Sequence, residues 1–222
     1  MIFDRAVEPF VPTAPDFKIS IPLEKALWPE TLLAFEMNGS TLPIYHGFPL
    51  RVVVLGWGGS ALVKWLTNIH ISTQEFDGFY IVEKYRHPKF PVKPGTKLSP
   101  KDMKVLSELG VKSIIPSPLE ESKTSFDKVL IKGYAWTGEA TIKKVEVSTD
   151  GGKTWEKAKI TRGEGRYVWC RWEYEWKPSK PGYYTLMCRA TDSKGRSQPY
   201  IPLWNQDGYL YSAIDRVSIH VV

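Results

Sequence analysis

Residues 142–160 read IKKVEVSTDGGKTWEKAKI, and their pattern decides the class of the second half of the chain. Around Val145 and Val147 apolar and polar residues alternate, the period of two that lays one face of a strand on a core. Asp150-Gly151-Gly152 supplies the positive φ angles of a hairpin turn, and a second short strand follows to Ile160. Trp155, just after the turn, is expected in the core. The pattern recurs on both sides, in KVLIKGYAWTG (128–138), YVWCRWEYEW (167–176) and GYYTLMCRATD (182–192). Roughly a hundred residues of short antiparallel strands is the size and pattern of an immunoglobulin-like β-sandwich.

Alternation also places the two cysteines. Cys170 shares a strand face with Trp172, Tyr174 and Trp176, and Cys188 shares one with Tyr184, Leu186 and Ala190, so both sulfurs point at the core. Two readings follow: reduced thiols acting as small apolar groups, or a disulfide between the sheets. Two cysteines exclude a cysteine-rich scaffold and a four-thiolate zinc site, and His46, His70, His87 and His220 lack the short spacings of metal anchors.

Upstream the signals are mixed. Pro9, Pro12 and Pro15 oppose regular structure in the entry segment, and Ser20 is a candidate N-cap for a short helix through Leu27. LLAFEM, Asn38-Gly39 and TLPIY together predict a hairpin. RVVVLGW (51–57) reads as a buried strand and VKWLTNIHIS (63–72) as another, joined by a loop containing Gly56, Gly58, Gly59 and Ser60. Ser99-Pro100 followed by KDMKVLSELG predicts a capped helix ending at Gly110. SIIPSPLEESKTS (113–125) is rich in Pro and Ser without periodicity, so a boundary is expected there, with domains at 1–117 and 118–222. The fold class is mainly β, with an α+β first part.

In 222 residues, 42% apolar content rules out bulk disorder, and no apolar run is long enough to span a membrane. The N-terminal MIFDRAVEPF lacks a basic n-region, so the chain is expected to be soluble without an export signal. The net charge of +6 is unevenly spread: residues 1–45 hold three basic and six acidic groups, residues 46–120 ten and six. Clustered Lys/Arg with interleaved aromatics is missing, so nucleic acid is not expected, and a small anion or an acidic protein fits the charge instead.

The chemistry concentrates in HGFPLRVVVLGWGGSALVKWL (46–66), where His46, Arg51 and Lys64 flank turns and a Gly/Ser loop. An imidazole, a guanidinium, an ammonium and loop N–H groups suit a phosphorylated or otherwise anionic ligand. The same residues also read as surface charges beside strands and a hydrogen-bonded turn histidine.

SIPLEKAL, LLAFEMNGSTLPIYHGFPLRVVV, GW, VKWL, KSIIPSP, IKGYAWTG, VEVSTDGGKTW, RATD, QP and WNQDGY, in that order from Ser20 to the end of the chain, resemble the sulfite oxidase family in its bacterial sulfite dehydrogenase branch. The resemblance implies the second half of a molybdenum cofactor domain followed by an immunoglobulin-like dimerisation domain. It implies that His46, Arg51 and Lys64 hold the pterin and its phosphate, with Ser60, Leu62 and Val63 as backbone or hydroxyl contacts. It assigns Tyr85, with Tyr80 as the alternative, and Arg216 to the substrate pocket. Without the family, Arg216 reads as an outward strand charge paired with Asp215 or a partner chain.

The family's molybdenum thiolate lies in the first half of the cofactor domain, which this sequence does not match, and neither Cys170 nor Cys188 can replace it. The cofactor, molybdenum-molybdopterin, is therefore expected to be shared with a partner polypeptide, and this chain is expected to be inactive alone. The resemblance further implies a homodimer through the sandwich, a cytochrome c or haem electron acceptor, and periplasmic residence of the assembled enzyme. Sulfite is the expected substrate, a protein-bound sulfane the related alternative. A non-catalytic binding or dimerisation module is the reading from a different class.

Overall fold

The computed structural model describes residues 1–5 and 14–222, so Pro9 and Pro12 lie outside the described residues. The chain divides into two compact units, one of Met1–Glu108 with Trp204–Tyr209, the other of Leu109–Leu203 with Leu210–Val222. Among the described residues no helix is long and apolar enough to cross a membrane.

The first unit is built from short strands: β1 (Ile2–Arg5), β2 (Lys18–Ser20), β3 (Thr31–Ala34), β4 (Glu36–Met37), β5 (Ser40–Thr41), β6 (Arg51–Val54), β7 (Leu66–His70), β8 (Arg86–Pro88) and β9 (Met103–Val105). β1 lies between β2 and β7, β3 pairs with β6, and β8 pairs with β9, all antiparallel. β4 and β5 form the expected hairpin, with Asn38 and Gly39 at φ 54° and 75°. The core gathers Phe3, Ile19, Val52, Val54, Val63 and Ile81.

Two expectations are corrected here. Ser20 is the last residue of β2 and caps nothing; the one-turn helix α1 (Leu23–Ala26) starts after Pro22, which has no side-chain capping bond. The helix expected from Pro100 to Gly110 is a single 3-10 turn, Pro100–Asp102, in which Ser99 does accept the Lys101 N–H. Met103–Val105 is then taken into β9, because pairing with β8 outweighs local helix propensity.

The second unit is a two-sheet sandwich. Its strands are β10 (Lys112–Ser117), β11 (Ser122–Thr124), β12 (Val129–Trp136), β13 (Ile142–Ser148), β14 (Glu156–Lys157), β15 (Lys159–Thr161), β16 (Cys170–Trp176), β17 (Gly182–Asp192) and β18 (Asp215–Val221). One sheet runs β10-β12-β16-β15 and the other β11-β18-β17-β13-β14. The stretch 113–125, expected as a boundary without periodicity, supplies β10 to the first sheet and β11 to the second, and the units divide between Glu108 and Leu109. Its prolines stand at the end of β10 and just after it, positions a strand tolerates.

Ile131, Trp172, Leu186, Cys188 and Ile219 fill the space between the sheets. A Cβ at Gly133 would come within 2.1 Å of the Trp172 ring, so only glycine lets β12 pass there. Cys170 and Cys188 are free, buried thiols. Ser113 Oγ donates to Cys188 Sγ at 3.2 Å, while burial pushes that thiol up to about 12. Trp155 does not reach the core. It is half-buried at the hairpin, donating to the Gly152 carbonyl, with the Arg189 guanidinium 4.2 Å over its ring. The positive φ of Gly151 and Gly152 turns the chain early and leaves Ala158 and Ile160 to face inward.

Candidate functional site

The cation cluster predicted between His46 and Lys64 is assembled by one turn and the strand after it. Pro43 starts a 3-10 turn, Ile44–His46, and Gly47 at φ 111° ends it, redirecting the chain into Leu50 and β6. Residues 63–66 run alongside, with Val52 N donating to Val63 O and Leu66 N to Leu50 O, both at 2.8 Å. Arg51 and Lys64 thus sit on neighbouring segments, and Gly47 lies between them. A Cβ at Gly47 would be 3.1 Å from Arg51 Cβ and 3.0 Å from Lys64 Cβ.

Side chains from these segments hold all three carbonyls of the turn. Trp65 Nε1 donates to Ile44 O at 2.9 Å, Lys64 Nζ to Tyr45 O at 2.9 Å, and Arg51 Nη1 to His46 O at 2.8 Å. The His46 ring itself is exposed. No ion pair among the described residues gives Arg51 or Lys64 a carboxylate. Among the described residues Arg51 Nε is buried without a hydrogen-bond partner, and burial lowers the guanidinium below its ordinary pKa. A half-buried cation with an unused donor calls for an anion acceptor.

Ser60 lies in the 3-10 turn Gly59–Ala61. Leu62 N donates to Gly59 O and Val63 O accepts from Val52 N, so among the described residues the backbone groups these two have left are the Leu62 carbonyl and the Val63 N–H. The donor set fits the phosphate and the hydrogen-bonding edge of a pterin. Among the described residues no group of three His, Cys, Asp or Glu side chains is placed to hold a metal ion.

Tyr85 belongs to an aromatic cluster in the same unit. A π-helical turn, Tyr80–Lys84, ends with Tyr85 N donating to Tyr80 O at 2.9 Å, and the two rings stack at 5.7 Å and 22°. The alternatives Tyr80 and Tyr85 are therefore neighbours. Phe17 lies 6.3 Å and Tyr209 5.9 Å from the Tyr85 ring. Tyr209 is the residue that sequence reading passed over. It is held by reciprocal bonds with Asn205, from Tyr209 N to Oδ1 and from Nδ2 to Tyr209 O, each 2.8 Å. Burial, and then the Asp207 charge, raise its phenol pKa. The only local signal was the polar WNQDG turn before it.

Arg216 lies in the second unit, on the exposed side of β18, with its guanidinium 4.3 Å over the Tyr200 ring. It lines a cleft of about 390 Å³ with Tyr200, Tyr211 and Asp215. The pairing with Asp215 does not form: that carboxylate accepts the Ile115 N–H at 2.8 Å.

Residues 3–80 match the family of oxidoreductase molybdopterin binding domains, and residues 103–222 match the Mo-co oxidoreductase dimerisation domain family. His46, Arg51, Ser60, Leu62, Val63 and Lys64 fall in the first match, Arg216 in the second and Tyr85 between them. The chain is 35% identical to mitochondrial sulfite oxidase of Rattus norvegicus over 95% of its own length and 40% of that protein. It is 34% identical to sulfite oxidase of Arabidopsis thaliana, over 92% of this chain and 56% of that one. Its structure resembles the sulfane dehydrogenase SoxCD from Paracoccus pantotrophus, with a TM-score of 0.80 and 26% identity over 97% of this chain and 53% of that chain. The chain thus spans about 40% of the length of its mammalian relatives.

Proposed function

The chain belongs to the sulfite oxidase family of molybdopterin oxidoreductases, and on that premise we propose that it forms part of an enzyme oxidising sulfite to sulfate. The observation that carries the reading is the cation site around Gly47: Arg51 and Lys64 without carboxylates, and Arg51 Nε buried without a partner. In the overall reaction sulfite and water become sulfate, two protons and two electrons. When bound, the molybdenum-pterin cofactor supplies the oxygen transfer and accepts both electrons. This chain's own share is binding and orientation. Arg51 and Lys64 neutralise the phosphate, with His46 beside them, while Ser60 and the free backbone groups of Leu62 and Val63 hold the pterin edge. Tyr85 hydrogen-bonds the substrate, and Arg216 neutralises it with a guanidinium fork that matches an oxyanion.

The thiolate ligand, in this reading, comes from a partner polypeptide that completes the cofactor domain, because Cys170 and Cys188 are buried in the sandwich core. Within RVVVL (51–55) Val52 and Val54 are fully buried, so the apolar face these two share is not open to a partner. An apolar group on and after β3 is exposed instead, including Phe35, Ile44 and Tyr45, the last 85% exposed. The match to a dimerisation domain supports two-fold pairing through the second unit. Electrons leave singly to a cytochrome or haem acceptor, two molecules reduced per sulfite. A second reading, oxidation of a protein-bound sulfane, is favoured by the likeness to the sulfane dehydrogenase.

Sulfite and a thiosulfate-derived carrier, assayed side by side on the assembled enzyme, separate the two readings. In the sulfite assay Arg216→Lys is expected to raise KM at least tenfold, about 1.4 kcal/mol, with molybdenum content unchanged. Arg51→Ala is expected to lower molybdenum content first. Unchanged sulfite kinetics in Arg216→Lys, or full molybdenum content in Arg51→Ala, would remove the corresponding residue from the site.

A further inference from the structure

Directly after Tyr85 the chain runs out as a two-stranded ribbon. β8 and β9 pair with Arg86 opposite Val105, His87 opposite Lys104 and Pro88 opposite Met103. Leu106 N donates to Tyr85 O at 2.7 Å, so the base of the ribbon closes on Tyr85. Beyond the strands the backbone bond from Lys89 N to Asp102 O continues the pairing, and a turn at Lys93–Thr96 follows, with Gly95 at φ 81°.

The charge on this ribbon is almost all of one sign. Lys84, Lys89, Lys93, Lys97, Lys101 and Lys104 are exposed, and Asp102 is the only acidic residue between positions 84 and 104. None of these lysines has a carboxylate partner among the described residues. Arg86 is committed elsewhere, donating to the carbonyls of Ile81 and Met103 at 3.0 Å and of Pro100 at 3.4 Å, which locks the ribbon at its root. Pro88, Pro91, Pro94 and Pro100 stiffen it further. Like charges held together on a stiff element repel one another, and they lower the cost of binding a surface of opposite sign.

We propose that this lysine ribbon is the landing surface for an acidic electron-accepting protein. Its chemistry disfavours the other polyanions. Recognition of nucleic acid draws on arginine forks and stacking aromatics, whereas here the exposed cations are all lysine, Lys89 donating to the Lys101 carbonyl, and the one arginine spends both Nη groups on backbone carbonyls. Anchoring in a lipid surface scales with inserted apolar area, and among the aromatic and aliphatic side chains of the 86–104 stretch only Phe90 stands out as exposed. Compact ammonium groups on long stems suit a salt-sensitive, short-lived encounter, the kind redox partners make over small interfaces. That the partner receives electrons rests on the proposed sulfite oxidation, because the ribbon is rooted at Tyr85. That the partner is acidic rests on the ribbon alone.

The test uses the enzyme assembled with the polypeptide that completes the cofactor domain, and a triple variant, Lys93→Glu/Lys97→Glu/Lys101→Glu. With sulfite saturating, kcat/KM for an acidic c-type cytochrome is expected to fall at least about tenfold at low ionic strength. Reduction of a small uncharged quinone is expected to be unchanged, and added salt to bring wild type and variant together. Equal cytochrome rates in the two proteins, a wild-type preference for a basic c-type cytochrome, or an equal loss with the quinone overturns the proposal. Direct binding of the acidic cytochrome to the chain, with and without the substitutions, decides the ribbon's role even if the assembled enzyme does not oxidise sulfite. Tighter binding to phosphatidylserine vesicles or to a short DNA duplex than to the cytochrome also overturns it.

Discussion

Replacing Gly47 by alanine is expected to damage the cation site from its floor. The backbone there has φ 111° and ψ 21°, far from where an L-residue rests. The added methyl would lie 3.0 Å from Lys64 Cβ, 3.1 Å from Arg51 Cβ and 3.2 Å from Lys64 Cα. These are atoms at or next to the backbone, which cannot swing aside as a flexible side-chain tip can. Holding a non-glycine residue in such a conformation costs about 1–3 kcal/mol. Overpacking a filled site adds about 1–3 kcal/mol, a large share of the roughly 5–15 kcal/mol that keeps a domain folded. Gly95→Ala is the matched control, since Gly95 has φ 81° but nothing within 4 Å of its would-be Cβ. Urea unfolding of both variants isolates the collision, with Gly47→Ala expected to lose about 1–3 kcal/mol more than Gly95→Ala. In the assembled enzyme Gly47→Ala is also expected to retain less molybdenum, because relief of the contact moves Arg51 and Lys64. Equal losses in the two variants, with equal molybdenum content, would refute the reasoning.

The Asp150 carboxylate accepts from Thr154 N and Oγ1, Ser148 Oγ and Lys153 N, which holds it well below its ordinary value. A depressed folded-state pKa stabilises the folded chain above the unfolded value and loses that stabilisation as the pH falls. Asp150→Asn should therefore be less stable at pH 7, with the gap narrowing below about pH 4; a gap that stays constant down to acid pH counts against the assignment. Cys188, raised to about 12, works in the opposite direction. Its contribution is full at neutral pH and fades as the pH rises past about 9, where the unfolded thiol ionises first. At pH 8 a thiol reagent is expected to modify neither cysteine until the chain is denatured, and rapid reaction of either thiol in the folded protein would contradict the buried, free-thiol description.

Elements whose residues carry their own instructions were legible in the sequence. Asn38-Gly39 specifies its hairpin locally, and alternation in 167–176 and 182–192 put Cys170 and Cys188 on the core side of opposite sheets. Misreadings occurred where a distant partner decided the outcome. KDMKVLSELG has helical composition and a sound Ser99 cap, yet Met103–Val105 gains more by pairing with Arg86–Pro88. The prolines of 113–125 read as punctuation because the edge positions that tolerate them are set by β12 and β18. Residue types and spacing singled out His46, Arg51 and Lys64, and the fold brings Arg51 and Lys64 onto the turn that carries His46. Their support was invisible to spacing: Gly47 as the floor, and the grip of Trp65, Lys64 and Arg51 on three consecutive carbonyls. Tyr209 was out of reach of any local pattern.

The return of Trp204–Tyr209 to the first unit fixes an order of events during synthesis. Tyr85 leaves the ribosome long before its ring neighbour Tyr209, and residues 109–203 must be made in between. At about 5–20 residues per second that interval lasts on the order of 5–20 s. Throughout it the aromatic cluster at the root of the lysine ribbon lacks one wall, while the sandwich strands β10 to β17 emerge one after another. The first unit, although it begins the chain, is therefore complete only when Tyr209 is made, shortly before β18 completes the second. A nascent chain stalled between Asp192 and Trp204 carries every sandwich strand except β18, joined to an aromatic cluster still without Tyr209.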